Sequence, residues 1–284
     1  MAYGSLIESE SIRDLTIRRV DLPLEHPVET ASGVLRTAAL VLVDVGDADG
    51  VFGHAYLRTY TPVALRALAT LLEDVAPLVT GEPPDPVAVR ARLQREFKLL
   101  GAQGLAGAAI AGIDMALWDL AARRADVPLA ALLGSDRRRV PAYASLHAMA
   151  PDTAAAEAEA ALAADFAGHA RIAAATPVPI QLGEDWQGPG DAEKILAAGA
   201  SDPGMPDAMK IGGVSGWREA AALAAGAGLP LSSHTFGRGG RAGPAGGGRR
   251  MGRGGAAASD RALTMAALSY DLGKGPPAPG RPQG

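Results

Sequence analysis

The sequence contains no cysteine, which excludes disulfides and thiolate chemistry and leaves oxygen and imidazole as the only donors for a metal. It shows no apolar run approaching the roughly 18–20 residues of a bilayer span, so no membrane partner is expected. Its start, Met1 to Asp14, is polar and lacks the apolar centre of a secretory signal. Charge of one sign is also scarce: the net value is −4, which gives no electrostatic argument for nucleic acid or an anionic membrane surface. Gly212-Gly213 has no following Lys-Ser/Thr and no full glycine fingerprint, so it reads as a strand-end turn rather than a phosphate loop. His26, His54, His147 and His169 show no metal-ligand spacing with one another and read as structural or exposed. What these absences leave is a soluble, cytoplasmic globular protein. At 284 residues and 48% apolar, it has material for one large domain or two moderate ones.

The charge it does have is unevenly placed. From Gly237 to Gly284 there are eight Lys/Arg against two Asp, and 14 of the 36 glycines. This Gly/Arg/Pro-rich stretch, 237–284, is read as a disordered tail. It carries a single aromatic, Tyr270, where an RNA- or DNA-binding Gly-Arg segment would interleave several for stacking.

The chain before the tail changes character once. Leu15, Ile17 and Val20 suggest a strand, Leu40 to Val43 a second, and Val51 to Leu57 a third joined through the turn-rich Gly46–Gly50. Thr61-Pro62 and Asp85-Pro86 each resemble an N-cap followed by proline in the first helical position. Helical spacing follows both, and an alanine- and glycine-rich helix runs from about Leu105 to Arg124. From Val140 the pattern alternates: strands at Val140–Ser145, Val178–Gly183, Ala208–Ile211 and Pro230–His234, with helices at Thr153–Phe166, Gly190–Ala198 and Gly216–Ala227. Such alternation predicts parallel strands with helical crossovers. A closed eight-unit barrel takes about 250 residues, or roughly 30 per unit. The 97 residues from Val140 to Phe236 therefore supply three or four units.

Several separated segments resemble one family in its own order. Pro27–Gly33 and Gly53-His-Ala-Tyr-Leu-Arg-Thr-Tyr-Thr-Pro-Val-Ala-Leu65 are similar to the capping domain of the mandelate racemase/muconate lactonizing enzyme family, within the enolase superfamily. So are Ala111-Gly-Ile-Asp-Met-Ala-Leu-Trp-Asp119 and Pro128–Gly134. Gly183-Glu-Asp-Trp186, Met205–Gly213 and Ser232–Phe236 resemble the family's fifth, sixth and seventh barrel strands. The resemblance implies an α+β capping domain over residues 1–134, followed over 135–236 by an incomplete (β/α) barrel of enolase-superfamily type. It implies a Mg²⁺-dependent isomerase that removes and returns the α-proton of a small-molecule 2-hydroxy acid through an enediolate. An acid-sugar dehydratase and a non-catalytic remnant are the alternatives. The chemistry is demanding because removing such a proton sets a second negative charge beside a carboxylate, so a cation or donors must neutralise it.

By the same resemblance His234 is the base and Asp207 its partner, Glu184 is a metal ligand, and Lys210 accompanies the Asp207 motif. Ser145 lies near the substrate carboxylate, while Val28, Thr30 and Tyr56 close over the substrate. Family members are commonly oligomers, so the resemblance allows a homo-oligomer, while an open half-barrel could also associate nonspecifically. The chain departs from the family in two places. A Lys-x-Lys strand and two strands bearing acidic ligands, units two to four, are missing after the first barrel helix. The Gly-Arg tail stands where a helix and an eighth strand belong. Mg²⁺ binding and activity are therefore both expected to be impaired.

Overall fold

The computed structural model describes residues 11–30, 33–134, 170, 171, 174 and 181–234. Three strands, β1 (Ile12–Thr30), β2 (Gly33–Asp47) and β3 (Phe52–Arg58), form an antiparallel meander in the order β1-β2-β3. In β2 the valines at 41, 43 and 45 are fully buried on one face, the two-residue period of a half-covered strand. The β2–β3 turn is fixed by Asp47, itself fully buried. Its Oδ1 accepts from Val51 N at 2.8 Å and its Oδ2 from Arg124 Nη1 at 3.1 Å. Gly50 takes the left-handed φ of +80° there, which a glycine adopts without steric cost.

Helices α1 (Val63–Val79) and α3 (Gly104–Arg124) cover the sheet's apolar face, and α2 (Pro86–Glu96) and the single turn α4 (Leu129–Leu132) pack against α3. Leu68, Leu72, Leu93, Ile113, Leu117 and Leu120 fill the space between them. Asp85 starts α2 as its sequence predicts: the carboxylate accepts from Val87 N at 2.9 Å and Ala88 N at 3.3 Å. An Asp85→Ala substitution is expected to cost about 1 kcal/mol, read as a lowered midpoint in urea unfolding with an unchanged slope. At α1 the expected Thr61 cap is replaced. Pro62 occupies the cap position with no side-chain bond, and Thr61 serves through its carbonyl, which accepts from Ala64 N at 3.2 Å.

Among the described helices α3 alone is long and apolar enough to cross a membrane, contrary to the expectation that no apolar run approaches that length. It is instead the central core helix, buried against β2, β3, α1, α2 and the later part of the chain. Its small residues permit that. A Cβ added at Gly53 of β3 would lie 2.0 Å from Ala116 O and 2.4 Å from Leu120 N, so strand and helix backbones meet almost directly.

The second unit contains α5 (Pro189–Ala198) and α6 (Gly213–Gly226). Single parallel bridges link Leu182 to Gly204, Gly204 to Leu231, and Asp207 to His234. Trp186, Ile195, Ile211 and Trp217 form a second apolar cluster beneath them. The α5 and α6 helices and the Pro230–His234 segment agree with the sequence reading. Ala208–Ile211 does not: it is a turn. Ile211 N and Gly213 N donate to Asp207 O and Ala208 O at 2.9 and 2.8 Å, and Asp207 Oδ1 takes Met209 N and Lys210 N. Local bonds thus hold the amides that a strand would give to its neighbour. The strand at Val140–Ser145, the helix at Thr153–Phe166 and the tail lie outside the described residues.

Candidate active site

Parallel pairing brings the carboxyl ends of three strand segments together. Met205 N donates to Leu182 O at 2.7 Å, Gly204 N to Pro230 O at 2.8 Å, Ser232 N to Gly204 O at 2.8 Å, and His234 N to Pro206 O at 3.1 Å. At Gly183, φ is +138° and an added Cβ would lie 2.6 Å from the Met205 backbone. That glycine lets Glu184 start directly beside the next segment. Glu184, Asp207 and His234, far apart in sequence, therefore converge.

His234 Nδ1 and Asp207 Oδ2 lie 3.1 Å apart, and His234 Nε2 lies 3.6 Å from Glu184 Oε1. Asp207 accepts from two backbone amides with its other oxygen, so it acts as the acceptor and His234 Nδ1 carries the proton. In the neutral ring the lone pair then resides on Nε2, on the side facing Glu184. Burial of the ring disfavours its charged form. The hydrogen bond with Asp207 and the charges of Glu184 and Asp207 outweigh that, with Lys210 opposing, and the His234 pKa is raised. An imidazole so placed can take a proton at Nε2 and hold the resulting charge.

Lys210 Nζ donates to Asp185 Oδ1 at 2.5 Å and lies 5.2 Å from the centre of the Tyr60 ring. Tyr60 was not singled out from the sequence, yet it is the capping-domain residue the geometry places best. It holds a left-handed φ of +57°, a backbone strain that functional sites concentrate. Burial, then the charges of Asp207, Glu184 and Asp185, push its hydroxyl up, with Arg58 opposing. The guanidinium of Arg58 sits 5.8 Å from the same ring. Burial of its hydroxyl, then the charge of Asp207, raises the Tyr56 pKa, with Arg58 opposing, but the residue as a whole is 54% exposed. Val28 and Thr30 lie in β1 with side chains outside those described, and Ser145 lies outside the described residues altogether.

The metal chemistry fits these residues poorly. Mg²⁺ demands near-octahedral oxygen ligation, and a single carboxylate holds it weakly against water. Among the described residues no group of three His, Asp or Glu side chains could hold an ion. Glu184 faces His234 and Asp185 is engaged by Lys210.

Helix α6, which follows the Asp207–Gly212 turn, has no side-chain cap of its own. Asp114 of α3, 1% exposed, supplies one: its Oδ2 accepts from Ser215 N at 3.0 Å. Trp118, read from the sequence as packing alone, donates Nε1 to Ser215 Oγ at 2.9 Å. Burial pushes the Asp114 carboxyl up to about 6, although Ser215, Arg90 and Val214 pull it down. A raised carboxyl pKa means that the unfolded chain releases its proton first as pH rises. The stability present at low pH is then lost between the ordinary value of 3.8 and about 6. The expected loss between pH 4 and 6.5 is about 2 kcal/mol, measured by urea unfolding at those two values. The Asp114→Asn variant should lack that part of the slope.

Comparison with known proteins agrees with this architecture. Residues 12–134 match the mandelate racemase/muconate lactonizing enzyme N-terminal domain, and residues 139–245 match the enolase C-terminal domain-like family. A solved enolase from Bradyrhizobium, complexed with magnesium and mandelic acid, is 32% identical with a TM-score of 0.71, covering 80% of this chain and 82% of its own. L-talarate/galactarate dehydratase from Salmonella typhimurium is 27% identical over 294 residues, covering 75% of this chain and 73% of the relative. The structure of L-talarate dehydratase from Polaromonas sp. JS666 with Mg and L-glucarate shares the fold at 24% identity and a TM-score of 0.71, over 80% of this chain and 82% of its own. A capping α+β domain set against a parallel-strand unit with an acid–imidazole pair at its strand ends defines a class of barrel enzymes. The chain belongs to the enolase superfamily, a Mg²⁺-dependent enzyme superfamily.

Proposed function

We propose that this chain acts on the carbon next to the carboxylate of a small 2-hydroxy acid, and that it does so on one face only. The observation that carries this reading is the His234–Asp207 pair at 3.1 Å, with Nε2 turned away from Asp207. Nε2 takes the α-proton, the C–H electrons pass into the carboxylate to give an enediolate, and the imidazolium returns a proton to the same carbon. Asp207 keeps the tautomer and supports the charged ring. Tyr60 and Tyr56 close the site from the capping domain, and Glu184 stands opposite Nε2 at 3.6 Å.

Racemisation needs a second base on the opposite face. We place that base, and two further acidic ligands, in barrel units two to four, which this chain lacks. The dehydratase comparison supports the reading: 75% of 284 residues is 213, so about 80 of the 294 aligned positions have no counterpart here. The expected activity is a slow exchange without inversion. It is tested by ¹H NMR of each mandelate enantiomer in D₂O with the full chain, with and without Mg²⁺. Deuterium entering one enantiomer with its configuration retained supports the proposal, and net racemisation refutes the one-faced site.

A dehydratase is the second reading, favoured by the talarate/galactarate relative, whose match runs through most of both chains. Loss of the α-proton and the neighbouring hydroxyl as water can be served from one face. Formation of a 2-keto acid from an aldarate, trapped as its semicarbazone, separates the two.

A further inference from the structure

We propose that Asp114 is a positioning residue for the His234–Asp207 pair, acting from the capping domain through the first turn of α6. The proposal rests on the reading of that pair as the reacting one.

Its basis is a continuous set of bonds across the domain boundary. Asp114 Oδ2 holds Ser215 N at 3.0 Å and Trp118 Nε1 holds Ser215 Oγ at 2.9 Å. These fix the third residue of a helix whose cap, Gly212, offers no side chain. Immediately before it, Gly213 N reaches back to Ala208 O and Ile211 N to Asp207 O. The turn between them presents Asp207 Oδ2 to His234 and points Lys210 at Asp185.

Two further observations show that the seam is built for this approach. A Cβ on Gly213 would lie 2.3 Å from Asp114 Oδ2, at φ +78°, so the close contact requires glycine. On the other side Arg90 of α2, with its side chain 7% exposed, bonds both carboxylate oxygens of Glu219 on α6 at 2.5 and 3.1 Å. Its guanidinium also packs against Gly212 and Gly216, where an added Cβ would meet Nη2 at 3.5 and 3.4 Å. The capping domain thus grips α6 at two points within its first two turns. A helix start that shifts carries Asp207 with it, and small displacements of a reacting pair cost rate steeply.

The test uses the ¹⁵N-labelled full chain, with the His234 ring resonances identified among the five histidines by their absence in His234→Asn. Asp114→Ala removes the acceptor. It is expected to move the His234 Nδ1 and Nε2 resonances and to lower kcat for α-proton exchange about ten- to a hundredfold with little change in KM. Asp114→Asn keeps a carbonyl oxygen for Ser215 N and is expected to restore both readouts. Leu68→Ala in α1 controls for lost stability and should leave the ring resonances alone. The proposal is overturned if Asp114→Ala frees the Ser215 amide to exchange while the His234 signals stay where they were, or if Leu68→Ala moves them equally. Should Asp114→Ala not fold, Trp118→Phe removes the bond to Ser215 Oγ while keeping an aromatic ring beneath Arg218, and unchanged His234 signals there also overturn it. The ring resonances respond whether or not the chain turns over, so failure of the functional reading appears separately, as exchange indifferent to His234→Asn.

Discussion

Replacing His234 by asparagine is expected to lower α-proton exchange by about 10²–10⁴-fold, the contribution of a positioned acid–base group. Asparagine fills similar space and keeps an amide that can face Asp207, so the fold should persist and its thermal midpoint should change little. What it cannot do is accept a proton at the Nε2 position. Asp207→Asn is expected to give a smaller loss, because the ring remains but its tautomer and its charge lose support. Equal exchange by wild type and His234→Asn, in a folded sample with a fixed enantiomer and Mg²⁺ concentration, would reassign the base.

The second large effect concerns folding. Gly53→Ala is expected to destabilise the capping domain by about 3 kcal/mol or more, the upper range for forcing atoms into a packed interior. The added carbon would stand 2.0 Å from Ala116 O and 2.4 Å from Leu120 N. Both are helix backbone, and neither can rotate aside as a side-chain end would. Relief requires β3 and α3 to separate, and Leu57, Leu117 and Leu120 are fully buried along that contact. Urea unfolding followed by tryptophan fluorescence gives the measurement. A change below about 1 kcal/mol, within the ordinary range for a surface substitution or a mild core one, would show that the strand–helix spacing is looser than described.

The parts of this structure legible in the sequence are those whose causes are local. Asp85-Pro86 announces α2 because cap and proline act within three residues of each other. The Asp47–Gly50 turn is readable for the same reason, and Glu184, Asp207 and His234 were found through short motifs at strand ends. Ala208–Ile211 was misread because the run Ala-Met-Lys-Ile says nothing of where its amides point, and here the Asp207 carboxylate captures two of them. Asp114 was invisible as a cap because the helix it serves begins 99 residues later, at Gly213. Tyr60 lies four residues beyond Tyr56 in the same segment. No spacing rule distinguishes them, and only the backbone turn at Tyr60 brings its ring over Lys210. The first family match ends at residue 134, and no local signal in the sequence announces the bonds that cross from it to α6.

Those bonds bear on how the protein comes apart. A cut after residue 134 separates two stretches of sequence without separating two units of folding. The isolated N-terminal piece would present Asp114, Trp118 and Arg90 to water along a wall meant to be dry, and α6 would begin with nothing to receive its amides. The covalent border is thus not the cooperative one. Heat or denaturant should dissolve the capping sheet and the α6 layer in a single step, with α3 as the shared timber of both.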